Sequence, residues 1–233
     1  MALTLAEEFL LLALRDDTGK PMVDGTRLKA ALAGAAIVEL ALDGALRLTG
    51  PDEPGRKPGR LAATGGPVAH ERFAGLVELV DGRKPKDAVS RAAGFNSWRG
   101  DRGRDLRDAL LADLAEAGAL REEQGKVLGL FPSKAWKPAD PGVEAEVLER
   151  VRAAVVTGAD PDPRTAALVA LVHTVGLLPK LFPENDRKEL KRRGKEISER
   201  DWGGQAVQKA IQEIQGAVLV AVTVAASAAA SGG

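Results

Sequence analysis

Arg27-Leu28-Lys29-Ala30-Ala31-Leu32-Ala33-Gly34-Ala35-Ala36-Ile37-Val38-Glu39-Leu40-Ala41-Leu42 decides the architecture. The stretch reads as a helix, and Gly34-Ala35-Ala36 makes its middle thin. A thin surface lets another backbone approach closely, so this helix is expected at the centre of the fold with others wrapped around it. Before it, Thr4-Leu5-Ala6-Glu7 has capping-box spacing, in which the Thr hydroxyl accepts from the Glu7 amide and the Glu carboxylate reaches back. Leu5, Phe9 and Leu12, with Leu10 and Leu11, then give a wide apolar face, and Asp16-Asp17-Thr18-Gly19 ends that helix.

After the central stretch, Ala45 to Thr49 alternates like a short strand. Gly50 to Gly59 holds three Pro and three Gly and continues neither structure. Arg60 to Thr64 is the expected hairpin partner. Helices are expected at about 67–80, 85–92 and 102–117, with Gly118 as a C-cap. Leu120 to Phe131 reads as a second hairpin around Glu122-Glu123-Gln124-Gly125, and Lys134 to Gly142 as a Pro-rich connection. Helices resume at about 143–157, 163–177, 184–199 and 204–229. The expected fold is mainly α: one domain over residues 1–233, with central helices, outer helices and short β-hairpins, one of them projecting.

Composition limits the chemistry. The 233 residues include 33 Lys and Arg against 33 Asp and Glu, a net charge of zero. Proteins that live on the phosphate backbone of nucleic acid carry a basic excess. There is no Cys, which excludes disulfides, thiolate metal sites and Cys nucleophiles. The two histidines, His70 and His173, are far apart, and a multi-histidine metal site would need carboxylates to complete it. Two acids, Glu7 and Glu8, stand where a signal peptide has its basic region. The apolar run Ala217 to Ala226 is ten residues long, short of the roughly 20 that a spanning helix needs.

No phosphate-binding Gly loop, nucleophile elbow or zinc-protease motif is present. His173 on the apolar run Leu168–Val172 reads as a core histidine hydrogen-bonded at one nitrogen, and His70 as a surface residue. Glu7-Glu8 and Glu122-Glu123 read as solvated charges rather than acid–base pairs. No enzyme activity, cofactor or metal is expected.

Two arginine features remain. Arg99, Arg102, Arg104 and Arg107 fall within nine positions. Arg104 and Arg107 share a helix face near its N-terminus, where exposed amides and the helix dipole favour phosphates. Two guanidiniums suit a phosphate; pairing of Arg104 with Asp101 or Asp108 is the competing reading. Arg187 to Lys195 carries six positive charges against one negative, as a solvated face or as contact with anionic lipid. Val127-Leu128-Gly129-Leu130-Phe131 is apolar with little alternation. It is core if it packs inward, and inserts in a bilayer or docks on another subunit if it projects.

At these residues the chain resembles a bacterial member of the Golgi phosphoprotein 3 family. The resemblance lies in Leu3 to Leu14, Ile37 to Gly44, Leu106-Arg107 through Glu116-Ala117-Gly118-Ala119-Leu120, and Asp162-Pro163-Arg164-Thr165 followed by Leu168 to Leu171. It covers most of the chain in order. It implies a helical domain with a projecting hairpin, and, from eukaryotic members, binding of phosphatidylinositol 4-phosphate on membranes. The family pocket uses a Trp, an Arg shortly after it, and an Arg-x-x-Arg pair. The pair matches Arg104 and Arg107, whereas the Trp position falls on Asp24 and the other Arg on Ala33. Arg27 or Lys29 is available to compensate. The inserting hairpin corresponds to Val127 to Leu130.

The expected function is therefore a cytoplasmic, peripherally membrane-associated protein that binds an anionic phospholipid surface. Arg104 and Arg107 hold the headgroup, and Val127, Leu128, Leu130 and Phe131 insert or oligomerise. Rival readings are a winged-helix DNA binder and an adaptor that forms homo-oligomers through the hairpin. Nucleic acid is not the expected partner, because Asp105, Asp108, Asp113 and Glu116 would face phosphates. The zero net charge also hides structure: −4 over residues 1–55, +6 over 56–104, −5 over 105–186 and +3 over 187–233.

Overall fold

The capping box at Thr4 forms. The Glu7 amide donates to the Thr4 hydroxyl at 3.2 Å, and the Thr4 amide donates to the Glu7 carboxylate at 2.6 Å. These observations come from a computed structural model, which describes residues 2–95, 100–127, 131–200 and 205–230. Helix α1 (Leu5–Ala13) follows, with every residue buried. It stops earlier than its apolar pattern suggests, because Leu14 pairs with Pro21 in an antiparallel bridge. The intervening turn needs Gly19, whose φ is +61°.

Helix α2 (Gly25–Leu42) is the expected centre: every residue from Ala30 to Ala41 is buried. Helices α1, α4 (Pro85–Ala92), α5 (Arg102–Glu116), α7 (Pro163–Thr174) and α10 (Gln205–Ala230) pack around it. A Cβ on Gly34 would lie 2.6 Å from Val218 Cγ2, so α10 rests directly on the thin middle of α2. The short strands β1 (Leu46–Leu48) and β2 (Leu61–Ala63) pair antiparallel, Leu46 with Ala63 and Leu48 with Leu61. A short helical turn at Glu71–Phe73 leads into α3 (Ala74–Val80), and the chain ends α5 at Gly118, φ +76°.

The second hairpin is longer than expected and turns elsewhere. Strand β3 (Leu120–Val127) pairs with β4 (Phe131–Pro138), from Leu120 opposite Pro138 to Val127 opposite Phe131. Glu122 to Gly125 is therefore strand, not turn, and most of the expected Lys134–Gly142 connection is β4. Eight residues of strand carry the tip about 25 Å from the base. β3 packs on α5 at that base. Of the expected hairpin residues, Val127 and Phe131 are the last ladder pair, while Leu128 and Leu130 lie outside the described residues. Helices α6 (Pro141–Arg152), which runs on into a π-helical turn at Ala153–Thr157, α8 (Leu178–Leu181) and α9 (Arg187–Glu199) complete the described elements.

Glu7 and Glu8 are not solvated: they are 3% and 5% exposed. Glu8 meets Arg150 at 2.6 Å and Arg164 at 3.4 Å, and Arg164 meets Glu39 at 2.7 Å. Burial opposes the charge on Arg164, but Glu39 and Glu8 outweigh it and raise its pKa above the ordinary value. This network ties α1, α2, α6 and α7 together. His173 is half-buried beside Gly194 rather than a core residue, and no ring hydrogen bond is seen among the described residues. Burial, then Lys191, lowers its pKa. Among the described residues, no helix is long and apolar enough to cross a membrane.

Candidate functional site

Helix α5 begins at Asp101, whose carboxylate accepts from the Arg104 amide at 3.0 Å and is also gripped by Lys29. The Lys29 contact, then the Arg104 amide, holds the Asp101 pKa below its ordinary value. The Arg104 amide is thus already bonded, which weakens the case for a phosphate on it. The Arg104 guanidinium stands 3.9 Å from Asp101, and its side chain is 65% exposed. Arg107, one turn on, donates to Asp108 Oδ1 through Nε at 2.9 Å and Nη2 at 2.6 Å.

Arg107 opens on a cleft of about 480 Å³ at the base of the β3–β4 hairpin. Leu10, Leu14 and Leu111 line its apolar side, Lys20 enters from the α1–α2 loop, and Trp136 and Glu122 come from the hairpin. Glu122 and Trp136 are directly opposite in the ladder, so they share a face. The other face is held by ion pairs: Glu123 meets Lys137 at 2.7 Å and Arg121 at 3.1 Å.

Gly19 fixes the geometry. A Cβ there would stand 2.3 Å from the Trp136 carbonyl oxygen. Backbone lies on backbone at this point, which no side chain permits, and Lys20 is thereby placed beside Trp136. The cleft holds two cations, Arg107 and Lys20, and two acids, Asp108 and Glu122.

Of the two paired arginines, Arg107 lines the cleft and Arg104 does not. Ala33 is fully buried in α2 and offers nothing to a ligand. Asp24 caps α2, accepting from the Thr26 and Arg27 amides at 3.1 and 3.0 Å. Neither expected compensator reaches the cleft: Arg27 meets Asp24 at 3.2 Å, and Lys29 is held by Asp101. Lys20 and Trp136 were missed. No sequence signal singles either out: the ladder register places Trp136 and the Gly19 contact places Lys20.

On α9, Arg192 is gripped by Glu189 and Glu196, and Lys195 stands 3.8 Å from Glu199. Much of that basic run is neutralised by its own helix. No group of three or more His, Asp or Glu placed to hold a metal occurs among the described residues.

The family model for Golgi phosphoprotein 3 (GPP34) matches residues 5–214. The chain belongs to the Golgi phosphoprotein 3 family. The match runs from the first residue of α1 into α10, and so includes α5, the hairpin and the cleft between them. No curated protein gives a significant match to the chain.

Proposed function

We propose that this family member is a peripheral membrane protein that binds an anionic phospholipid headgroup, of the phosphatidylinositol 4-phosphate class, in the cleft beside β3 and β4. The observation that carries the reading is the convergence of Arg107, Lys20 and Trp136 over an apolar floor at the hairpin base. The volume falls within the roughly 300–1,000 Å³ of small-molecule sites. Two cations meet a phosphate, and an indole covers the apolar face of a sugar ring.

The Arg107–Asp108 pair does not prevent this. Their side chains are 34% and 53% exposed, and an exposed pair of this kind holds by only about 0–1 kcal/mol. A charge-assisted bond from Arg107 to a phosphate is worth about 1.5–3 kcal/mol, so exchange of Asp108 for phosphate is favourable. Arg104, one turn earlier and exposed, supplies long-range attraction rather than a wall of the pocket. The hairpin tip supplies shallow apolar insertion. The protein acts by binding, catalyses no reaction and takes no metal or cofactor.

Sedimentation with phosphatidylcholine vesicles, with and without phosphatidylinositol 4-phosphate, tests the reading. Wild type pellets with the phosphoinositide vesicles, and the Arg104→Glu, Arg107→Glu double variant stays in the supernatant. Equal pelleting of the two proteins would remove these arginines from the site.

A further inference from the structure

Two basic segments distant in sequence meet at one end of the fold. The Leu61 amide donates to the Arg83 carbonyl at 2.8 Å, and the Gly82 amide donates to the Leu61 carbonyl at 2.8 Å. These bonds lay the start of β2, and with it the end of the β1–β2 loop, against the turn between α3 and α4. Arg60 then donates to the Gly82 carbonyl at 2.7 Å, and Arg83 donates to the Leu79 carbonyl at 2.8 Å. Both guanidiniums are held by carbonyls, so they are positioned while their charge stays uncompensated. Lys57, Lys84 and Lys86 are exposed. Among the described residues none of these five cations has a carboxylate within ion-pair distance.

Neighbouring arginines, by contrast, are paired with acids. Arg47 in β1 and Arg56 in the β1–β2 loop are held by Glu53, at 2.5 and 3.6 Å. Arg72, Arg107 and Arg152 each sit on an acid elsewhere. Over residues 47–60 and 81–87, seven cationic side chains meet four acidic ones, Asp52, Glu53, Asp81 and Asp87. Glu53 is already engaged, and Asp81 accepts from the Ala63 amide at 2.8 Å. Helix α4 starts there without a capping side chain, which adds partial positive charge to the same place. Like charges crowded in this way repel one another, and an external anion relieves that repulsion.

We propose that this end of the fold is a second membrane contact, where Lys57, Arg60, Arg83, Lys84 and Lys86 bind the anionic phospholipid surface without selecting one headgroup. The proposal rests on the membrane reading in taking a bilayer as partner, but it uses none of the cleft residues. The cations sit on a loop and a turn rather than along a groove. A plane of mobile headgroups can meet such a cluster at once, whereas a duplex presents phosphates in a fixed stripe. Asp52 and Asp87 among the cations also disfavour a rigid phosphate backbone. Helix α4 spans about 12 Å, and its far end abuts α5, where a Cβ on Gly94 would lie 2.9 Å from the Arg102 amide nitrogen. The patch and the start of α5 are therefore close enough for one bilayer surface to serve both.

The test uses phosphatidylcholine vesicles containing phosphatidylglycerol and no phosphoinositide. Wild type binds them, and binding falls steeply with salt. The Lys57→Gln, Lys84→Gln, Lys86→Gln variant keeps its melting temperature and loses about tenfold or more in affinity. On vesicles with phosphatidylinositol 4-phosphate and no phosphatidylglycerol, the triple variant keeps saturable binding, which separates this proposal from the cleft. Wild type that ignores phosphatidylglycerol vesicles, or a triple variant that binds them as wild type does, would overturn it. Loss of duplex DNA binding by the triple variant with unchanged vesicle binding would assign the patch to nucleic acid instead.

Discussion

Gly34→Ala tests whether the thin middle of α2 is what seats α10. The new Cβ would lie 2.6 Å from Val218 Cγ2, with Leu171 and Ile214 methyls at 3.5 and 3.6 Å. Carbon atoms pack best at about 3.5–4.0 Å, so the overlap with Val218 is about 1 Å. Val218 is fully buried, and its β-branched side chain is stiff at χ1. Against this, Ala in place of Gly gains about 1 kcal/mol of helix propensity. Overpacking a dense core costs about 1–3 kcal/mol, and an overlap of this size belongs at the upper end. The expected net loss is about 1–2 kcal/mol, or a melting temperature lowered by about 3–6 °C for a chain of this length. Urea unfolding followed by circular dichroism reads it. In a Val218→Ala background the clash is gone, so the same substitution should stabilise by about 1 kcal/mol. A Gly34→Ala single variant as stable as wild type would refute the direct contact of α10 with α2.

Three further outcomes are expected. Gly19→Ala should weaken phosphoinositide-vesicle binding, because the Cβ would strike the Trp136 backbone and push Lys20 out of the cleft; unchanged binding would show that the loop is not clamped there. Arg164→Met leaves Glu39 and Glu8 buried without this partner, and should cost about 3 kcal/mol in urea unfolding, the lower end for a broken buried pair because Arg164 is partly exposed; a loss below 1 kcal/mol would count against the network. Glu144, raised from 4.5 to about 7 by burial and then by Asp16, binds its proton more tightly folded than unfolded. Stability should therefore fall as pH rises from about 4.5 to about 7 and then level off. Glu144→Gln should remove that fall, gaining about 1–2 kcal/mol at pH 8 relative to pH 4 after allowance for solvent screening; parallel pH profiles would contradict it.

The helical part of the fold was legible because its signals are local. The Thr4 capping box, the Gly34-Ala35-Ala36 thinning and the Gly118 cap each depend on neighbours along one helix. The hairpin was half legible. Glu122-Glu123-Gln124-Gly125 has the polarity of a turn, yet its residues pair with Ser133 to Trp136 across the ladder. Pro138 in the expected Pro-rich connection argued against a strand, but a two-stranded ribbon leaves each strand an open edge where a missing amide costs little. The buried acids were illegible for a different reason. Glu8 and Glu39 look like surface charges until α6 and α7 bring Arg150 and Arg164 onto them. In the site, helix periodicity placed Arg104 and Arg107 on one face, but only tertiary packing decides that Arg107 meets the cleft. Lys20 and Trp136 join it through the Gly19 contact, which no spacing rule encodes.

The most direct test of headgroup binding is a titration of the soluble headgroup inositol 1,4-bisphosphate, followed by nitrogen–proton correlation NMR. Saturable shifts should concentrate on the Gly19 and Lys20 amides, the Arg107 Nε–H and the Trp136 indole N–H, and Arg107→Gln should abolish them. Absence of saturable shifts at these groups, or shifts confined to another part of the surface, would contradict the account.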